Sequence, residues 1–150
     1  MGSEASLRDT ARRAFPGDGH WVRIENAVEQ GTPDLWVRCC GVGAWIELKY
    51  SARWPARRGT PLRCDHLTDE QRRWAVAEGR AGGCYGLLWQ VGSEYLLFGW
   101  RSIGRLGQAS QEEMRELALW AGPAISWPEI MSRVDRDCTA TESRSLSVPG

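Results

Sequence analysis

The chain has 150 residues, with 19 basic and 19 acidic side chains and no formal net charge. That is the length of one ordinary domain, and 42% hydrophobic with 25% charged residues excludes disordered, collagen-like and fibrous classes. No apolar run approaches the roughly 18 residues of a membrane span, and the opening MGSEASLRDT lacks a signal-peptide core, so a cytoplasmic protein without membrane contact is expected. Zero net charge excludes a protein that grips nucleic acid by bulk positive charge, but not one with a local basic patch.

Residues 4–14 carry Leu7, Ala11 and Ala14 at helical spacing and then meet a Pro16-Gly17 stop. HWVRIENAV alternates as a half-buried strand does, with Trp21, Arg23 and Glu25 on one face. EQGTPD is a turn, LWVRCC a short strand, GVG a second turn and AWIELKY a third strand, which together predict an antiparallel meander. The Pro-, Gly- and Arg-rich stretch SARWPARRGTPLRCDH reads as an exposed loop. Thr68 and Gln71 then make a capping box that opens a helix through LTDEQRRWAVAEGR.

CYGLLWQV and EYLLFGW are two strands around Gly92-Ser93, and a last helix runs from Ser110 to about Trp120. Pro123 and Pro128 break the chain beyond it. The small, polar residues from 138 predict a disordered tail, leaving 1–137 as a single domain. The order gives a mixed α/β sheet with helices packed on it.

The five cysteines at 39, 40, 64, 84 and 138 are odd in number and form no CxxC pair. A zinc cluster from Cys39, Cys40, Cys64 and His66 has no common module's spacing, so buried apolar thiols are expected. Nine Trp imply an aromatic-rich core or groove without saying which.

Chemistry concentrates at three positions. Asp34 follows Pro33 at the start of the second strand, while Glu47 and Lys49 are two apart on the third. Alternation puts Glu47 and Lys49 on one face and Ile46, Leu48 and Tyr50 on the other. If the two strands pair, Asp34 and Glu47 meet near one end, where two carboxylates repel unless a cation sits between them. Hard oxygen ligands with room for water suit Mg²⁺ or Mn²⁺. Lys49 is the only lysine among 19 basic residues, the other 18 being arginine. Arginine cannot lose its proton, so a lysine kept there suggests a demand for ammonium chemistry rather than a leftover surface charge.

GTPD34, twelve intervening residues and then E47-L-K49 resemble the PD-(D/E)XK nuclease signature. The element order is similar to that superfamily's αβββαβ core, here with an extra strand and a C-terminal helix. R23-I-E-N26 and Gln71 resemble its VRR-NUC branch, found in phage and bacterial genomes and similar to Holliday-junction resolvases. The resemblance covers residues 4–100 and implies a restriction-endonuclease-like fold and metal-dependent phosphodiester hydrolysis in a bacterial or phage-infected cytoplasm. It implies that Asp34, Glu47 and the Leu48 carbonyl hold Mg²⁺ or Mn²⁺ and that Lys49 positions the attacking water. It also implies a homodimer, since cutting two strands symmetrically takes two sites related by a twofold.

The superfamily often adds a further acid on the first helix. Glu4 is there, close to an end expected to fray, and Glu25 on the first strand is the preferred candidate; Glu29 reads as a solvated turn residue. Gln71 either reaches the site or only closes its capping box, and the sequence weighs the two equally.

Residues 51–80 hold seven Arg against four acids, while 1–50 sum to −1 and 81–150 to −2. Arg53, Arg57, Arg58 and Arg63 stand without an acid in 51–63, directly after the proposed catalytic strand, and suit phosphate contacts. Trp54 either stacks on an unpaired base or packs on the core. His66 either assists the site or merely precedes a helix.

The expected function is a metal-dependent endonuclease for branched DNA. The rivals are a non-catalytic nucleic-acid-binding or phage-assembly module of the same fold, and a related nuclease acting on RNA or single-stranded ends.

Overall fold

The computed structural model describes residues 2–25 and 29–146, and for residues 141–146 the backbone only. The expected first strand ran on into residues 26–28, which lie outside the described residues.

Helix α1 (Glu4–Ala14) starts at Ser3, whose side chain caps Ser6 N–H while Ser6 caps Ser3 in return. Strands β1 (His20–Arg23), β2 (Leu35–Cys39) and β3 (Val42–Ser51) form the antiparallel meander. The β2–β3 turn is Cys40-Gly41, both at positive φ (57° and 81°), rather than the expected GVG. That geometry matches the right-handed twist of the flanking strands, so Val42 and Gly43 stay in the ladder.

Helix α2 (Asp69–Arg80) crosses back to lay β4 (Tyr85–Val91) parallel to β3. Strand β5 (Glu94–Phe98) returns through Gly92-Ser93, and a 3₁₀ turn (Trp100–Ser102) and α3 (Gln111–Leu117) follow.

The chain's last part departs from the sequence reading. Helix α3 ends at Leu117 because Ala118 turns extended (ψ 135°), and Trp120–Gly122 becomes a sixth strand, β6, paired with β5. Helix α4 then runs from Trp127 to Leu146. Pro128 does not break it, because the second position of a helix has no intrahelical partner for an N–H. Trp127, Ile130, Met131 and Val134 recur at helical spacing and are all buried. The helix therefore continues through 138, where the tail was expected to begin; of that tail, residues 147–150 lie outside the described residues.

The six strands make one sheet in sequence order, with cores on both faces. Leu7, Ala11, Leu35, Val37, Ile46 and Leu48 pack with α4 on one face. Tyr85, Leu87, Trp89, Leu96 and Phe98 pack with Ala75 of α2 and the pegs Leu62, Cys64 and Leu67 on the other. The tryptophans belong to both cores: Trp127 Nε1 donates to Ala11 O at 2.9 Å, and Trp89 Nε1 to Ser51 Oγ at 2.9 Å. Among the described residues no helix is long and apolar enough to cross a membrane.

Candidate active site

The β2–β3 ladder pairs Leu35 with Ile46, so Asp34 falls opposite Glu47, on the sheet face that carries α2. Asp34 Oδ2 accepts the Leu48 N–H at 2.8 Å, which fixes the carboxylate against β3. The N–H and C=O of a strand residue point to the same edge, so the Leu48 carbonyl also faces Asp34. Extending the register sets Pro33 opposite Leu48, and proline has no N–H to give that carbonyl.

Glu47 and Lys49 project together from the α2 face, only 2% and 3% exposed. The Lys49 ammonium donates to His66 O at 2.9 Å and lies 3.6 Å from Glu47 Oε1 and 3.8 Å from Glu4 Oε1. Burial first, then repulsion from and a hydrogen bond with Asp34, push the Glu47 carboxyl up to about 9, against the opposing pull of Lys49. In the cation-free protein Glu47 thus holds a proton at neutral pH.

Gln71 does both things that the sequence left open. Its Oε1 accepts the Thr68 N–H at 3.0 Å, closing the capping box, and its Nε2 donates to Glu47 Oε1 at 3.4 Å.

Glu4, not Glu25, is the acid that the fold brings to Lys49. Its Oε1 is 3.0 Å from His66 Nε2 and, as noted, 3.8 Å from Lys49 Nζ. The Ser3–Ser6 box holds the helix end that was expected to fray. Glu25 fails by strand parity. Ile24 N–H donates to Asp34 O at 2.8 Å, so Ile24 opposes Asp34 and Glu25 turns to the other face, 3.6 Å from Arg23. Glu29 is exposed, as its turn position suggested.

His66 joins the cluster through both its carbonyl and its ring. Its ring nitrogens also lie 3.7 and 3.9 Å from Cys64 Sγ, a thiol that burial pushes up to about 11.

Sequence reasoning missed Tyr85. The parallel register Trp45↔Tyr85 puts it on the Glu47 face, where its hydroxyl is buried and has no hydrogen-bond partner among the described residues. Burial, then Glu47 and Asp34, raise its pKa well above the usual phenol value. A tyrosine at the first position of an apolar strand gives no hint of this.

The basic loop is pinned at its ends and open in the middle. Leu62 N–H donates to Ala109 O, and Trp54 packs on the core with Nε1 donating to Glu94 Oε2 at 3.1 Å, so its ring anchors the loop. Arg53, Arg57, Arg58 and Arg63 are all exposed.

No protein-family model matches the chain, and no curated protein matches it. Among solved structures it is similar to Hjc, a Holliday junction resolvase from the archaeal hyperthermophile Archaeoglobus fulgidus. The TM-score is 0.55 at 14% identity, over 87% of this chain and 97% of that chain. The fold is restriction-endonuclease-like. The likeness is one of fold, with little sequence in common.

The donor set fits a hard divalent cation. Two carboxylates face each other, one made to keep its proton by burial and by its neighbour Asp34 despite Lys49, beside a backbone carbonyl that the ladder leaves without an N–H. Among the described residues no three His, Cys, Asp or Glu side chains are grouped as a metal site.

Proposed function

We propose that the protein is a Mg²⁺- or Mn²⁺-dependent DNA endonuclease of the PD-(D/E)XK superfamily, selective for branched DNA. We place it in the VRR-NUC branch, working as a homodimer in a bacterial or phage-infected cytoplasm. The observation that carries the reading is the convergence of Asp34, Glu47 and the buried Lys49 at the end of β2 and β3, on a fold similar to that of a Holliday junction resolvase.

Asp34, Glu47 and the Leu48 carbonyl would hold the cation, which when bound polarises the scissile phosphate and makes its water more acidic. Lys49, held by His66 O, aims its ammonium at that point and stabilises charge growing on the phosphate. Gln71 steadies Glu47 from α2, and Glu4 faces Lys49 and His66 from α1. Arg53, Arg57, Arg58 and Arg63 lie directly after the catalytic strand and bind the phosphate backbone as it leaves. A twofold pair of such sites cuts opposed strands of a junction.

The test is incubation of the purified chain with a four-way junction, a duplex and a single strand, each with Mg²⁺, Mn²⁺ or EDTA. Metal-dependent cleavage that favours the junction is the expected result. Binding without cleavage of any substrate in either metal would sink the enzyme reading and leave a binding module.

A further inference from the structure

The turn between β2 and β3 carries a chemistry of its own. Cys39 ends β2 and Cys40 opens the turn, and their Sγ atoms lie 3.6 Å apart. Cys39 is buried in the core under α4, whereas Cys40 is exposed, so the expectation of buried thiols fails at Cys40. The pair stands five residues along β2 from Asp34, roughly 16 Å from the candidate site at the rise of a strand. Cys64, the thiol beside His66, belongs to the core on the other face of the sheet.

A cysteine is not what this turn asks for. Cys40 sits at φ 57°, the one non-glycine residue at positive φ among the described residues. A Cβ is disfavoured there, and glycine or asparagine makes the same turn with less strain. The conformation nevertheless turns the Cys40 sulfur back onto that of Cys39. Burial first, then the contact with Cys40 and the charge of Asp18, push the Cys39 thiol up to about 12. Both sulfurs are thus held together, with Cys39 protonated at neutral pH.

The spacing selects the ligand. Sulfur bonds soft atoms at roughly 2.3 Å, so a bent S–X–S unit of about 100° spans about 3.5 Å and a linear one about 4.6 Å. The observed 3.6 Å fits the bent unit as it stands. A disulfide would need the sulfurs at about 2.05 Å, between Cα atoms closer than such bonds favour. Among the described residues no third His, Cys, Asp or Glu side chain joins the pair in a metal site, so the ligand must bring its own remaining substituent. A protonated Cys39 further favours a ligand that carries the thiol protons away on its own oxygen over a bare cation.

We propose that Cys39 and Cys40 form a dithiol site that chelates trivalent arsenic through both sulfurs. Arsenic of this valence is soft, bent at its bonds and brings a third substituent. With an organoarsenic oxide, R–As=O, two As–S bonds form and the As=O bond breaks. Both S–H protons leave on that oxygen as one water, and no atom changes its oxidation state. Cys40, open to solvent, binds first, and Cys39 closes the chelate from the core side. The inference does not depend on the nuclease reading.

The probe is phenylarsine oxide, added to the full chain in EDTA and followed by intact mass against a competing monothiol. The wild type should take up one phenylarsenic group that survives the monothiol and is stripped by a dithiol. Cys40→Ser, and Cys40→Gly, which suits the positive φ, should bind at least a hundredfold more weakly, because one sulfur alone forms no chelate. Cys84→Ser with Cys138→Ser removes the two partly buried thiols elsewhere and should leave binding unchanged. The two cysteines stay adjacent in the unfolded chain, so loading tests whether the fold already holds them at the right spacing. The melting temperature of the loaded wild type should stay level or rise. A fall would mean that the turn must open to bind, and overturns the proposal. So does a wild type that keeps no adduct, binding that persists in both Cys40 variants, or binding lost with Cys84 and Cys138.

Discussion

Gln71 donates from Nε2 to Glu47 Oε1 across 3.4 Å while its Oε1 closes the cap of α2 on Thr68. One side chain thus ties the start of the crossover helix to a buried carboxyl. Gln71→Ala removes both functions and should cost about 1 kcal/mol of stability through the cap alone. Gln71→Glu keeps an acceptor for the Thr68 N–H but sets a third carboxylate beside Asp34 and Glu47. Thermal unfolding should therefore separate the variants, Ala falling further than Glu at low pH, while cleavage falls in both. Full activity in either variant would show that the Gln71 amide does not position Glu47.

Glu47 sets the pH dependence of the cation-free protein. Its carboxyl titrates near 9 in the folded chain against an ordinary value near 4.5. Between those values the folded state holds a proton that the unfolded state has released. Stability then falls as pH rises through this window, by up to about 1.4 kcal/mol per pH unit, and levels off above 9. Glu47→Gln has no proton to hold and should flatten the melting temperature between pH 5 and pH 9. Added Mg²⁺ or Mn²⁺ replaces that proton and should raise the melting temperature of the wild type more at pH 8 than at pH 6. The check is melting in EDTA and in each metal across this range; parallel wild-type and Glu47→Gln curves would refute the assignment.

Much of the architecture follows from local sequence. The meander, the crossover helix with its Thr68–Gln71 cap and the Gly92-Ser93 hairpin carry their own turn and cap residues, and alternation alone aligns Glu47 with Lys49. What sequence misses is decided across distance. Strand β6 exists because β5 offers an edge to three residues of weak strand character, and α4 because Trp127 and Ile130 find a sheet face to cover. The place of Tyr85 comes from a pairing between strands far apart in the chain, for which no local pattern exists.

Glu4 and Glu25 are the sharpest instance, because the sequence favoured the acid nearer in strand order. Strand parity and the serine cap reverse that choice. Glu4→Gln should lower cleavage at least tenfold and weaken the hold on His66, since its oxygen faces both Lys49 and the imidazole. Glu25→Gln should leave cleavage within twofold, because its carboxylate lies on the other face beside Arg23. Single-turnover rates on the junction under saturating Mg²⁺ decide between them, and equal losses would mean that neither acid acts at the site.

Lys49 is buried, with Glu47, Glu4 and the His66 carbonyl around its ammonium. Lys49→Ala should abolish detectable cleavage, a loss of at least a hundredfold, because the sequence has no other lysine to take its place. Lys49→Arg should not restore it: the guanidinium is broader than the ammonium held at His66 O and cannot yield a proton. Both variants should still bind the junction, since the exposed arginines of the loop after β3 are untouched. Circular dichroism and anisotropy on the same samples separate lost chemistry from lost folding. A Lys49→Arg protein that cuts at the wild-type rate would show that charge alone, and not the compact ammonium, is what the position supplies.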